Sequence, residues 1–319
     1  MEKAAVASSK DGTLEDDSKL KETGVPASVV FGILGNIASV VGVVITNKYI
    51  QRVHGFDSMI FLSFCHFVFT GLGIRVLLLC GAFRYKAATT RGVLPVALGS
   101  LGSVAFMNLN LAHNSVGFYQ VSKLACIPVT LALNRCYSDA PIPFRVMVTL
   151  VPLVVGMAVA SVHDVEATFV GTAFAAVAVL CTVASQMATA SSQRALGCDS
   201  NQLLFHTSPL IALGMLALTP IFDDVNAIRH FRYTPILVRD IAASCALALA
   251  VNVTNYLVLG KTSPLTYQVV GHLKSVLTIL FGFFVLGTET NARNVAGTAI
   301  AMGGLVAYTE VKRRMGLGR

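Results

Sequence analysis

One thirteen-residue pattern occurs twice in the chain, as LNLAHNSVGFYQV at residues 109–121 and as LVLGKTSPLTYQV at residues 257–269. Aligned without a gap at an offset of 148 residues, the two stretches share six identical residues. These include the pair Tyr-Gln, which is rare inside apolar segments. Similarity at a fixed internal offset indicates a duplicated structural unit. The sequence therefore predicts two related halves.

Composition places both halves in a membrane. The chain has 319 residues, of which 55% are hydrophobic and 13% charged, and its mean hydropathy is +0.70. So few charges cannot cover the surface of a soluble protein of this length, which excludes a soluble enzyme and a disordered chain. The net charge of +8 does not indicate a nucleic-acid binder, because most Lys and Arg residues flank apolar blocks instead of clustering on a solvated face.

Ten apolar blocks follow one another, each close to the length of about 20 residues that a helix needs to cross a bilayer. We place them at 26–46, 58–80, 92–112, 115–134, 145–162, 169–193, 202–222, 235–258, 263–287 and 292–311. The repeated pattern leads into blocks four and nine, which lie five blocks apart and so cross in opposite directions. We predict an all-α membrane protein of ten transmembrane helices, arranged as two inverted five-helix repeats. This architecture is typical of secondary transporters; a non-transporting membrane scaffold is the alternative.

The blocks also define the organisation of the chain. We expect a disordered cytosolic tail at 1–25, a first repeat at 26–162, a second repeat at 163–311 and a basic cytosolic tail at 312–319. The N-terminal tail lacks the features of a signal or transit peptide, so the first block would act as an uncleaved signal anchor. With both ends in the cytosol, the inside segments hold fifteen Lys and Arg residues and the outside segments six. This asymmetry agrees with the positive-inside rule.

Two lysines fall inside predicted spans. Lys123 follows Tyr119 by four residues, and Lys274 shares a helix face with Tyr267. A lysine in the membrane costs several kcal/mol unless it faces a cavity or a counter-charge. Every Asp and Glu falls in a tail, a loop or a block end, so we expect the missing anions to arrive with a ligand, as a phosphate or diphosphate. Such a carrier would change conformation more easily with an anion bound than empty, so it would exchange one ligand for another across the membrane. Snorkelling of either lysine to the membrane surface is the alternative.

Several other polar side chains are candidates for the same site. Tyr119 and Tyr267 could stack on a base or sugar, or could simply pack. The remaining candidates are Gln120 and Gln268 beside them, His272 near Lys274, Asn252 in block eight and Lys48 at the end of block one. The seven Cys residues have no paired short spacing, and the His residues lack metal-ligand spacing. We therefore predict no metal, no cofactor and no enzymatic activity.

Two long motifs resemble a known family. Residues 114–128 (NSVGFYQVSKLACIP) are similar to the fourth-span motif of UDP-sugar transporters, and residues 260–275 (GKTSPLTYQVVGHLKS) resemble their eighth-to-ninth-span motif. The segments Thr46-Asn-Lys48 and Asn294-Val-Ala-Gly297 also fit. From about residue 30 to 311 the chain resembles the nucleotide-sugar transporter and triose-phosphate translocator branch of the drug/metabolite transporter superfamily.

This resemblance implies a ten-helix Golgi antiporter that brings a nucleotide sugar into the lumen and returns a nucleoside monophosphate. Triose-phosphate translocators tend to have Lys-Arg where this chain has Lys274-Ser275, which disfavours a three-carbon phosphate. GDP-sugar transporters carry Gly-Ala-Leu-Asn-Lys where this chain has Gly271-His-Leu-Lys274, which favours a UDP-sugar of the UDP-galactose or UDP-xylose type. We expect Lys123 and Lys274 on the phosphates and the Tyr-Gln pairs on the base or sugar. The alternatives that stay open are an exchanger of sugar phosphate and phosphate or of another nucleotide derivative, an endoplasmic reticulum location, and a homodimer.

Overall fold

The computed structural model describes residues 27–137, 142–161, 168–273 and 292–316, and every regular element among them is an α-helix. The helices are α1 (Ala27–His54), α2 (Met59–Leu79), α3 (Thr90–His113), α4 (Val116–Leu124), α5 (Cys126–Tyr137), α6 (Phe144–Ser161), α7 (Phe169–Leu196), α8 (Ser200–Phe222), α9 (Val225–His230), α10 (Pro235–Lys261), α11 (264–273) and α12 (Ala292–Arg314).

Six of these helices are long and apolar enough to cross a bilayer. They are α1, α2, α3, α7, α8 and α10, and their apolar spans contain between 21 and 28 residues. The chain is therefore a multi-pass membrane protein, as the composition predicts, and its described ranges are all helical. The described residues yield six such spans rather than ten for identifiable reasons. Block four is divided into two helices, α6 is a shorter apolar helix, α12 carries several charges, and most of block nine lies outside the described residues.

Block four is not one continuous helix. Its two parts, α4 and α5, meet at Ala125, whose N–H bonds the Ser122 carbonyl three residues back instead of four. Pro128 follows within one turn and has no N–H to donate to the Leu124 carbonyl. The predicted single span at 115–134 is therefore two shorter helices in sequence.

Both copies of the repeated pattern form the same turn from one helix into the next. Ser115 ends the connection after α3, and its Oγ accepts a hydrogen bond from the Phe118 N–H at 3.2 Å. Ser263 holds the same place after α10, with its Oγ accepting from the Thr266 N–H at 3.2 Å. A serine at this position satisfies one of the unpaired amides of the first helical turn. The identical residues of the pattern thus produce identical local structure.

The helices pack in a specific set of pairs. The main contacts join α3 to α7, α1 to α10, α6 to α12 and α2 to α8, and further contacts join α2 to α10 and α3 to α8. Between α6 and α12 the backbones touch: a Cβ on Gly156 would lie 2.6 Å from the Gly297 carbonyl oxygen, and one on Gly304 would lie 2.8 Å from the Leu153 Cα. Small residues allow this approach where lipid provides no hydrophobic drive for association.

Two loops at one end of the helices are fixed to each other. Phe56 in the α1–α2 loop is 1% exposed, and its ring centroid lies 5.1 Å from that of Phe231 and 6.2 Å from that of Tyr233. Asp223, at the end of α8, accepts a hydrogen bond from the Phe61 N–H at 2.7 Å and so caps α2. Burial raises the pKa of the Asp223 carboxyl, and its backbone hydrogen bonds oppose that shift. The α1–α2 loop and the segment between α8 and α10 therefore form one packed unit.

Candidate functional site

Lys123 lies on α4 with its ammonium over the ring of Tyr119. The Nζ atom is 4.1 Å from the ring centroid, as the four-residue spacing predicts. The Lys123 side chain is half-buried on α4, and His272 is buried on α11. Residues of the fourth and ninth predicted spans meet at the hydrogen bond from Gln268 of α11 to Thr130 of α5.

Five of the six carboxylates among the described residues cap a helix or form an ion pair elsewhere. Asp199 and Asp224 cap α8 and α9, Asp223 caps α2, Asp240 pairs with His54 and Arg239, and Glu310 pairs with Arg313 and Arg314. Asp57 is exposed in the α1–α2 loop. No carboxylate in the described part of the chain pairs with Lys123. Its ammonium therefore has an aromatic ring beside it and no counter-charge among these residues.

Gln268 of α11 joins three helices. Its side-chain amide nitrogen donates to the Thr130 Oγ1 of α5 at 2.5 Å and to the Gln186 Oε1 of α7 at 2.9 Å. Gln268 is 6% exposed and Thr130 is 3% exposed. The buried Oε1 atom of Gln268 has no hydrogen-bond partner among the described residues. Sequence reasoning predicted Gln268 but missed Thr130 and Gln186; the available signal was an amide side chain in the middle of apolar block six.

Tyr267 is held by its hydroxyl group. The hydroxyl donates to the Asn255 Oδ1 of α10 at 2.5 Å, and the Asn36 Nδ2 of α1 donates to the same oxygen at 2.7 Å. Asn36 also donates to the Thr254 Oγ1 at 2.9 Å and is 1% exposed. Asn36 and Asn255 were also missed, although each is an amide inside an apolar block. Tyr267 is thus held by Asn255 of its own predicted half, and Asn36 of the other half bonds the same Asn255 oxygen.

Asn252 of α10 contacts another helix. Its Nδ2 donates to the Thr70 Oγ1 of α2 at 3.0 Å. A second polar chain joins the same helices to α1: the His66 Nε2 bonds the Ser244 Oγ at 2.9 Å, and this hydroxyl donates to the Asn47 Oδ1 at 2.5 Å. Hydrogen bonds of this kind are a common means of association between helices in a membrane.

The remaining predicted residues are not brought into this group. Lys48 is exposed on α1. Gln120 lies on α4, but its side chain is outside the described part of the structure, and Lys274 is entirely outside the described residues. Within the described ranges there is no group of three or more His, Cys, Asp or Glu residues that could hold a metal ion.

Comparison with known proteins places this chain in a family. The model of the Triose-phosphate Transporter family matches residues 34–309. UDP-xylose transporter 1 of Arabidopsis thaliana is 35% identical over 289 residues, covering 88% of this chain and 84% of the relative. UDP-rhamnose/UDP-galactose transporter 1 of Arabidopsis thaliana is 32% identical over 279 residues, covering 86% and 80%. One crystal structure matches with a TM-score of 0.72 over 90% of this chain and 98% of that chain; at 11% identity it shows a shared fold only.

Proposed function

Because the chain belongs to the triose-phosphate transporter family, we propose that it exchanges a UDP-sugar for UMP across an internal membrane by alternating access. UDP-linked substrates are named for its relatives, among them UDP-xylose, UDP-rhamnose and UDP-galactose. The observation that carries the proposal is the Lys123 ammonium, which lies half-buried beside an aromatic ring and has no carboxylate partner among the described residues.

A nucleoside phosphate complements this arrangement. Its phosphate oxygens supply the counter-charge that Lys123 lacks, and charge-assisted hydrogen bonds to phosphate are short and strong. The Tyr119 ring provides a flat surface for a base or sugar one helical turn from the ammonium. Lys274 is the second phosphate ligand in this proposal, with Gln120, Gln268, Tyr267 and Asn252 as polar contacts.

The helix pairing supports two inverted repeats at 26–162 and 163–311. Exchanging each predicted span with the one five places later converts α1 into α7, α2 into α8, α3 into α10 and α6 into α12. This exchange converts the α3–α7 contact into the α10–α1 contact and the α2–α10 contact into the α8–α3 contact. The α2–α8 and α6–α12 contacts map onto themselves. Inverted repeats of this kind allow access to alternate by movement of the halves around a central site.

Exchange follows from the charge at the site. A closed empty carrier has to bury an uncompensated ammonium, which is costly in a low-dielectric interior. The phosphate-loaded carrier closes around a neutralised charge pair, so the loaded form changes more easily between its two open conformations, in either direction. Both termini then lie in the cytosol, as the distribution of Lys and Arg favours, and the site opens in turn to the cytosol and the Golgi lumen.

Counterflow tests the proposal directly. We expect proteoliposomes that contain the purified full-length protein and are preloaded with UMP to take up radiolabelled UDP-xylose, UDP-galactose or UDP-rhamnose. The same proteoliposomes without UMP should take up much less. GDP- and CMP-sugars and triose phosphates form the comparison panel. If the protein prefers a sugar phosphate, that compound is the substrate instead of a UDP-sugar. Full uptake into proteoliposomes that contain no UMP would show that exchange is not obligatory. If folded protein takes up none of the compounds, it is a scaffold and not a transporter.

A further inference from the structure

We propose that the Gln268 carbonyl oxygen accepts a hydrogen bond from the ring imide N–H of the uracil base, and that Thr130 and Gln186 are positioning residues that hold this oxygen toward the ligand. The inference rests on the proposed function and deepens it. It assigns a specificity contact to the group of side chains that joins α5, α7 and α11.

In this structure the Gln268 side chain presents its amide nitrogen to both partners. Its nitrogen uses both of its hydrogens, one toward Thr130 at 2.5 Å and one toward Gln186 at 2.9 Å. The amide oxygen therefore points to the remaining side, where none of the described residues donates to it. The residue is 94% buried, since its exposed fraction is 6%. A buried acceptor without a partner is uncommon in a folded protein, and a ligand that brings a donor satisfies it.

The chemistry of this oxygen selects a neutral donor. A carbonyl oxygen repels the anionic oxygens of a phosphate and attracts an N–H or O–H group. Thr130 of α5 follows Lys123 of α4 by seven residues across the break at Ala125, and seven residues at the helical rise span about 10 Å. A nucleotide extends over a comparable length from its phosphates to the far edge of its base. With the phosphates at Lys123, the base reaches the level of Gln268.

The imide N–H distinguishes uracil from cytosine. Uracil has a hydrogen on ring nitrogen N3, whereas cytosine has a lone pair there, so cytosine would face the Gln268 oxygen with a second acceptor. A site built to pair with a ligand donor discriminates strongly against an analogue that lacks it, because the buried group of the protein is then left unpaired. This contact would make the carrier select UMP over CMP.

Selectivity in counterflow tests the assignment. The competing compounds are UMP, CMP and N3-methyl-UMP, each measured as an inhibitor of UDP-sugar uptake by the full-length protein. We expect UMP to inhibit the wild-type protein at least about tenfold more strongly than the other two. In Thr130→Val and Gln186→Met the Gln268 amide loses one of its two anchors and can rotate. The UMP preference is then expected to fall to about threefold or less.

A matched control separates positioning from helix packing. Thr182 lies on α7 one turn before Gln186, and its hydroxyl bonds that of Ser103 on α3 at 2.6 Å. Thr182→Val removes one inter-helix hydrogen bond from the same helix, and we expect it to keep the wild-type preference. If Thr130→Val and Gln186→Met weaken all three inhibitors by the same factor, these residues are structural and the inference is wrong.

A measurement on the wild-type protein alone also tests whether the Gln268 oxygen contacts the imide N–H. If N3-methyl-UMP inhibits as well as UMP, the Gln268 oxygen does not read the imide, whether or not the variants fold. These outcomes differ from failure of the proposed function, in which the wild-type protein would not exchange UDP-sugars for UMP at all.

Discussion

Replacing Lys123 by methionine should weaken nucleotide binding while leaving the empty protein intact. Methionine keeps most of the length and the apolar stem of the side chain and removes the ammonium. In the proposed complex this ammonium lies against a phosphate. Two unit charges about 4 Å apart attract by about 4 kcal/mol at an effective dielectric constant of about 20. Desolvation of the ammonium and the phosphate offsets part of this attraction.

The half-buried position of Lys123 places the expected loss near the lower end of values for interfacial charge pairs, at about 2 kcal/mol. This corresponds to a roughly 30-fold increase in the Kd for UMP. The effect on the empty protein has the opposite sign. Lys123→Met removes an ammonium that has no carboxylate partner among the described residues, so the Tm without ligand should stay the same or rise.

The assay is thermal unfolding of the detergent-purified protein over a UMP titration, since a ligand that binds only the folded state raises Tm with concentration. Lys86→Met is the control, because Lys86 lies in the exposed α2–α3 loop, where its Nζ donates to the Gly197 carbonyl oxygen. Its UMP affinity should equal that of the wild type. A Lys123→Met protein whose UMP affinity stays within about twofold of wild type would show that the ammonium does not contact the phosphates.

Five further substitutions, in three comparisons, test the packing of the helices and loops. Asn255→Leu removes the acceptor of both the half-buried Tyr267 hydroxyl and the buried Asn36 amide and should cost about 1–3 kcal/mol of stability. Tyr267→Phe removes only one donor and should lower Tm less, and equal losses would argue against this network. Gly156→Ala forces α6 away from α12 and should cost about 1–3 kcal/mol, whereas Gly303→Ala, where a Cβ meets no described atom within 4 Å, should be neutral or stabilising in the same unfolding assay. Phe56→Ala opens the packed loops and should cost about 3–5 kcal/mol, and a Tm equal to wild type would mean that these loops do not contribute to stability.

The membrane class was predictable because it depends on local properties of the sequence. Block length alone placed six apolar spans, and block two at 58–80 corresponds closely to α2 (Met59–Leu79). The matching turns at Ser115 and Ser263 follow from the same short pattern. The division of block four at Ala125 was not predicted, because hydropathy does not detect a change in hydrogen-bond register.

The candidate site was predictable only in part. The cation–π pair of Lys123 followed from helix periodicity within one segment. The partners of Gln268 did not, because Thr130 and Gln186 are distant in sequence and meet only when α5, α7 and α11 pack. A single amide in an apolar helix predicts that a polar contact exists, but it does not identify the partner.

The direct backbone contact between α6 and α12 limits how the protein can move. With Gly156 against Gly297 and Gly304 against Leu153, no side chain separates the two backbones, and sliding one helix by a residue would bring larger groups into collision. These two helices, one from each proposed half, should therefore stay in contact while the halves rotate about that contact. Covalent linkage of α6 to α12 should then leave the transport cycle free to run.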